Sequence, residues 1–94
     1  MTFRVEVART AARAFERASK QDRRRLERAI DSFSRNPRPA GKLVKAIQGT
    51  KDAFLRMRVG DYRIMYEVVD ADRVVLILGI IQRRDLEQWL RQHS

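Results

Sequence analysis

The pair Gly60-Asp61 stands between two runs rich in alternating residues, Phe54 to Val59 and Tyr62 to Val69. A pair of this kind predicts a two-residue β-hairpin, because glycine takes the positive φ of a tight turn without steric cost. The hairpin commits this part of the chain to an antiparallel sheet. After a second turn, Asp70-Ala71-Asp72, comes a third strand signal, Arg73 to Ile81, with the run Val-Val-Leu-Ile-Leu-Gly-Ile-Ile. That run is apolar on both faces, as a strand inside a sheet must be and an edge strand need not be. A sheet built around it needs cover, and the rest of the chain has to supply it.

The cover is legible as helices. Phe3-Arg4-Val5-Glu6-Val7 alternates and reads as a further strand, but from Thr10 the period changes. Thr10 is placed to cap a helix whose apolar side carries Ala11, Ala14, Phe15 and Ala18. Ser19 or Lys20 breaks it, and a second helix is expected from about Gln21 to Arg35. Its Leu26, Ala29, Ile30 and Phe33 follow the i, i+3, i+4, i+7 spacing of one buried face. Asn36-Pro37-Arg38-Pro39 ends it, since proline lacks an N–H and disfavours helix in the residue before it. Arg23, Arg24, Arg25 and Arg28 give this helix a basic stripe beside the apolar one. Gly41 to Gly49 reads as a loop with a short apolar element (Leu43, Val44, Ile47) covering a core edge. The tail from Asp85 to about Gln92 has helical spacing, with Leu86, Trp89 and Leu90 directed inward.

The expected order is therefore β-α-α-β-β-β-α, an α+β fold: a helical hairpin and a short C-terminal helix against a small, mainly antiparallel sheet. At 94 residues the chain suits a single domain over 1–94, because two halves would each be too small to bury a core. It has no cysteine and one histidine, His93. That excludes disulfides, thiolate nucleophiles and Cys- or His-based metal clusters, so no metal or cofactor is expected. The N-terminal stretch has no long apolar run, and the expectation is a cytoplasmic protein away from membranes. The net charge is +9, and 17 of the 21 cations are arginine. A planar guanidinium bonds phosphate or carboxylate bidentately, which suits nucleic acid or an acidic protein partner.

Strand alternation says where some of those arginines point. Leu55, Met57 and Val59 share one face with Tyr62, Ile64, Tyr66 and Val68. If the helices cover that face, Arg56, Arg58 and Arg63 share the open one with Phe54, Met65 and Glu67. Arg83 and Arg84 follow the last strand and are within reach of it. A cation cluster on rigid strands, with Phe54 as a stacking surface, suits RNA-backbone binding and stabilisation of a phosphorane. A solvated face with Arg–Glu67 pairs is the alternative.

The segment Phe54-Leu55-Arg56-Met57-Arg58-Val59-Gly60-Asp61-Tyr62-Arg63-Ile64-Met65-Tyr66 resembles the central hairpin of the RelE/ParE toxin superfamily. Gln82-Arg83-Arg84-Asp85 resembles the end of that family's last strand, and the element order agrees along nearly the whole chain. The resemblance implies the toxin of a type II toxin–antitoxin pair. It implies a metal-independent, ribosome-dependent mRNA endoribonuclease that inhibits translation, or, as in other members, a DNA gyrase inhibitor without nuclease activity. A degenerate toxin kept as an antitoxin-binding module is a third possibility.

Carried over by position, Arg56 falls where RelE-like members have a catalytic lysine, Arg63 on the motif arginine and Arg83 on the arginine after the last strand. Arg58, Arg84, Lys51 and Phe54 would bind RNA. The chain departs from the pattern at Phe54, where a second lysine is usual, at Gln82, where histidine is common, and around Glu87 and Trp89, where a tyrosine is expected. Arginine stays protonated and cannot act as the base. That leaves Glu67, Glu87 and His93 for proton transfer, with Glu67 preferred because it shares the Arg63 face. The implied partners are a cognate antitoxin offering an acidic or amphipathic segment, and either ribosome and mRNA or gyrase.

Overall fold

The structure, a computed structural model, describes residues 2–39, 44–47 and 54–92, with the backbone alone at 44–47. The hairpin forms as its turn residues dictate. Strands β3 (Phe54–Val59) and β4 (Tyr62–Val69) pair antiparallel up to Val59 opposite Tyr62. Gly60 takes φ +57° while Asp61 stays out of the left-handed region, the pattern of a turn with glycine at its first central position. Strand β5 (Val74–Gln82) lies antiparallel to β4, and β1 (Arg4–Val7) lies parallel to β5. A fifth strand, β2 (Val44–Ile47), pairs with β3, giving the order β1-β5-β4-β3-β2. The doubly apolar β5 is an interior strand, as its sequence requires.

The α+β class and element order stand, with local corrections. Residues 44–47, expected within a loop, instead satisfy the edge of β3. A four-residue edge strand needs only backbone pairing, so it leaves little periodicity to read. Thr10 is not the cap of helix α1 (Arg9–Arg17), whose first flanking residue is Ala8 and which has no side-chain cap. The Ala8 N–H bonds Ile77 O at 2.9 Å, so the β1–β5 ladder sets the helix start. Helix α2 (Lys20–Phe33) is capped by Ser19, whose Oγ accepts the Asp22 N–H at 3.2 Å. Arg73 belongs to the turn rather than to β5 and has φ +55°. Its guanidinium sits 4.7 Å from the centre of the Phe3 ring.

The two helices bury one face of the sheet. Leu26 and Phe33 of α2 and Ala11 of α1 join Met57, Ile64, Tyr66, Val75, Ile77 and Ile80 in one apolar cluster. The β4–β5 register shifts between Met65 and Tyr66. This bulge keeps both Ile77 and Ile80 on the helix side despite their odd spacing. Tyr66 stacks on Phe33 with ring centres 4.2 Å apart and donates its hydroxyl to Pro37 O at 2.7 Å, which ties the end of α2 to the sheet.

The opposite face is covered only in part. A single 3₁₀ turn (Arg83–Asp85) carries the chain from β5 into α3 (Leu86–Gln92). Trp89 packs with Phe54 and Met65, flanked by Leu78, Ile81, Leu86 and Leu90. Gly79 makes this possible: a Cβ there would lie 2.9 Å from Trp89 Nε1 and 3.2 Å from Trp89 Cε2. No helix among the described residues is long and apolar enough to cross a membrane.

Candidate active site

Beside α3 the second face of the sheet stays charged. Arg56 and Arg58 project from alternate positions of β3, and Arg58 lies directly opposite Arg63 on β4. Two like charges at opposed strand positions repel. Arg63 is nevertheless 8% exposed, and its Nη1 donates to Gly60 O at 3.0 Å and Tyr62 O at 2.9 Å. The tight turn thus fixes its guanidinium. Burial, then the neighbouring cations Arg58, Arg56 and Arg83, lower the Arg63 pKa from its ordinary value, while Asp61 opposes them. An arginine so placed stays protonated through ordinary pH.

Arg83, at the start of the 3₁₀ turn, completes the group. Arg56, Arg63 and Arg83 line one shallow cleft of about 360 Å³ with Leu86, Glu87 and Leu90 of the tail segment. Among the described residues the ion pairs are Arg4–Glu6, Arg38–Asp70 and Arg91–Glu87, so these three arginines have no carboxylate partner there. Three clustered arginines that form no ion pair among the described residues, one of them held rigid by backbone carbonyls, can present preorganised donors to an anion. Phosphate oxygens match such donors in charge and geometry.

The cleft brings together Arg56, Arg63 and Arg83. Arg58 borders it on β3 and is exposed, as is Arg84 in the 3₁₀ turn. Phe54 departs from expectation. It is 7% exposed and meets Trp89 edge-on with ring centres 6.0 Å apart, so it packs α3 and offers no surface for a base. Glu67 lies opposite Leu76, four residues along β4 from Arg63, and is not among the cleft residues. It forms no ion pair with a described arginine. Glu87 is the carboxylate that the cleft contains, with Arg91 Nη1 3.8 Å from its Oε1. The signal for it was the short connection: one 3₁₀ turn after Gln82 brings the first turn of α3 over Arg83. Lys51 and His93 lie outside the described residues.

The sequence and fold have close counterparts among known proteins. Residues 5–87 match the family model described as the ParE toxin of the type II toxin–antitoxin system, parDE. The chain is 34% identical to the toxin in the archaeal RelE–RelB complex of Pyrococcus horikoshii, with a TM-score of 0.77 over 88% of this chain and 97% of that one. It also superposes on the Mycobacterium tuberculosis toxin–antitoxin complex RelBE2 with a TM-score of 0.73 at 24% identity, covering 88% of this chain and 100% of that one. A putative toxin RelE1 of Methanocaldococcus jannaschii is 26% identical over 84 residues, 88% of this chain and 92% of that protein. The match runs through the hairpin, the last strand and the first turn of α3, and it places the chain in the ParE toxin family of type II toxin–antitoxin systems, within the RelE/ParE superfamily.

Proposed function

We propose that this toxin is a ribosome-dependent mRNA endoribonuclease that arrests translation in the cytoplasm. The observation that carries the reading is the cleft in which Arg56, Arg63 and Arg83 converge beside Glu87. In the proposed reaction the 2′-oxygen of a ribose bonds to its own adjacent phosphorus, and the bond from phosphorus to the 5′-oxygen breaks. The 2′-hydroxyl proton passes to a base, and the departing 5′-oxygen takes up a proton. The products are a 2′,3′-cyclic phosphate and a 5′-hydroxyl. The three arginines stabilise the extra negative charge that develops on the phosphoryl oxygens. Glu87 replaces Glu67 as the proposed base, because among the described candidates it is Glu87 that lines the same cleft. So sparse a set of proton-transfer groups is consistent with a ribosome that orients the strand, since positioning alone lowers such barriers substantially.

Relatives crystallised as RelE–RelB and RelBE complexes support a cognate antitoxin as partner. A +9 toxin attracts an acidic or amphipathic segment and speeds the encounter. The matching ParE family model supports a second reading, inhibition of DNA gyrase without RNA cleavage.

Cleavage of an mRNA on programmed ribosomes, with the same RNA free in solution as control, tests the nuclease. Cutting only on ribosomes, lost in Arg83→Ala, is the expected result. Growth arrest with intact mRNA and lost supercoiling would overturn it in favour of gyrase. Arg83 is the cleaner substitution, because Arg63→Ala also frees two carbonyls of the hairpin turn.

A further inference from the structure

A second hollow lies at the open end of β5. Strand β1 pairs with β5 only at Val74–Ile77, and beyond Ile77 the chain of β1 turns away into α1. From there to Gln82 no described strand covers that edge of β5. On the other side, the Arg83 N–H bonds Asp61 O at 2.7 Å. Strand alternation puts the Ile81 peptide groups on that same side and leaves those of Ile80 and Gln82 facing outward.

The hollow along this edge has a volume of about 430 Å³, within the size range of ordinary ligand sites. Arg17 of α1 stands on one wall, and Asp85 and Gln88 of the tail segment on the other; Tyr62 and Trp89, each about nine-tenths buried, add apolar surface. Arg17 and Asp85 form no ion pair among the described residues, and the carboxamides of Gln82 and Gln88 carry no hydrogen bond there. The site therefore presents unsatisfied donors and acceptors around an aromatic floor, beside free strand-edge peptide groups.

Its position gives it a meaning. Gln82 also lines the next depression, with Asp61, Arg83 and Arg84. Arg83 in turn lines the arginine cleft. Successive hollows thus share a wall residue, Gln82 and then Arg83, at the end of the sheet.

We infer that the hollow between α1 and α3 receives one nucleobase of the RNA strand whose phosphate lies in the arginine cleft, and so sets the base preference of cutting. The inference rests on the nuclease reading. A base needs an apolar face to pack on and in-plane donors and acceptors at its edge, and this hollow holds both. The arginine cleft, lined among the described residues by Arg56, Arg63, Arg83, Glu87 and two leucines, offers no aromatic ring for a base to pack on.

The test uses the intact toxin with two readouts. On programmed ribosomes, site-resolved cutting of an mRNA with varied codons is compared among wild type, Gln88→Ala, Arg17→Ala and Arg83→Ala. Gln88 and Arg17 are exposed, so the fold tolerates their truncation. Gln88→Ala and Arg17→Ala are expected to redistribute cutting among sites, changing the preference at one flanking position about tenfold, the discrimination of a bidentate base contact. Arg83→Ala lowers cutting at all sites alike.

In parallel, an uncleavable 2′-O-methyl RNA trinucleotide is titrated while following the fluorescence of Trp89, the single tryptophan. Saturable quenching that disappears when one nucleotide of the probe is abasic is expected. Unchanged site preference in both hollow variants, or equal quenching by the abasic probe, overturns the base site while leaving the nuclease standing. A wild type that cuts nothing on ribosomes overturns the nuclease reading and the base site together.

Discussion

The two faces of this sheet meet helices of very different reach. On one, α1 and α2 lay down a continuous cluster from Ala11 to Phe33 over the core of β3, β4 and β5. On the other, the seven residues of α3 cover Phe54 and Met65 through Trp89 and leave the neighbouring strand positions to arginine. The same strands thus carry stability on one side and unbalanced charge on the other. The difference shows why an anion site can be tolerated here. The well-packed face supplies the apolar burial on which folding depends, and the other face can then hold a cation cluster that opposes folding.

The contrast is broken most severely from the packed side. Phe33 is fully buried and stacked on Tyr66, so Phe33→Ala is expected to cost about 3–5 kcal/mol. That is a large share of the about 5–15 kcal/mol stability of a typical domain. Urea unfolding should show a much lower midpoint, and hydrogen exchange should speed up throughout β3, β4 and β5 together.

Tyr66 tests the same face by pH. Burial raises its pKa from the ordinary tyrosine value of 10.0 to about 12, with Arg38 opposing. A group that holds its proton more tightly when folded adds stability that is complete below its unfolded pKa. That stability is lost as pH rises from about 10 to about 12. The linked contribution is about 2–3 kcal/mol at 1.36 kcal/mol per unit. Wild type should therefore weaken across this window, whereas Tyr66→Phe should start less stable, with Pro37 O unpaired, and lack this contribution to the alkaline slope. Equal slopes in denaturant titrations at pH 9 and 11.5 would contradict this account.

These elements were also the most legible in sequence, for the same physical reason. A strand buried on both faces, like Val74 to Ile81, and a helix face like Leu26-Ala29-Ile30-Phe33 must write their periods into the chain. The edge strand Val44–Ile47 pairs through its backbone, and the α1 start depends on a ladder bond from Ala8, so neither has to. At the site, alternation placed Arg56, Arg58 and Arg63 together. It could not say that α3 folds back over the same face, which removes Phe54 from solvent and substitutes Glu87 for Glu67 beside the arginines. The clue lay in an unlikely pair, a glycine in an apolar strand and a tryptophan in the tail.

That pair gives the next perturbation. Gly79→Ala places a methyl 2.9 Å from Trp89 Nε1, too close for the indole to stay where it is. Overpacking of this kind costs about 1–3 kcal/mol, and α3, held by few contacts, is the element that yields. Amide protection in residues 86–92 should fall while that of β4 and β5 persists, and Trp89 emission should shift to the red. On the proposed nuclease reading, cutting should fall as well, because Glu87 rides on α3. Loss of protection spread evenly over the molecule would instead mean that the two faces unfold as one.

The mildest perturbation acts on charge alone. Arg58 is exposed and stands opposite the buried Arg63, so the pair repels with no described carboxylate between them. Arg58→Gln keeps a polar side chain and the β3 backbone but removes one charge, and it is expected to stabilise the fold by about 0.2–1 kcal/mol. The gain should shrink as salt rises, since added ions screen the repulsion in the wild type. Inorganic phosphate should stabilise the wild type more than chloride at equal ionic strength, because it binds the folded arginine cluster as a ligand. Arg83→Ala should remove most of that difference, whereas a charge change on the far side of the packed face, such as Arg24→Gln, should leave it intact. If Arg58→Gln destabilises at every salt concentration, Arg58 serves the hairpin by packing, and the charged face is less strained than its register implies.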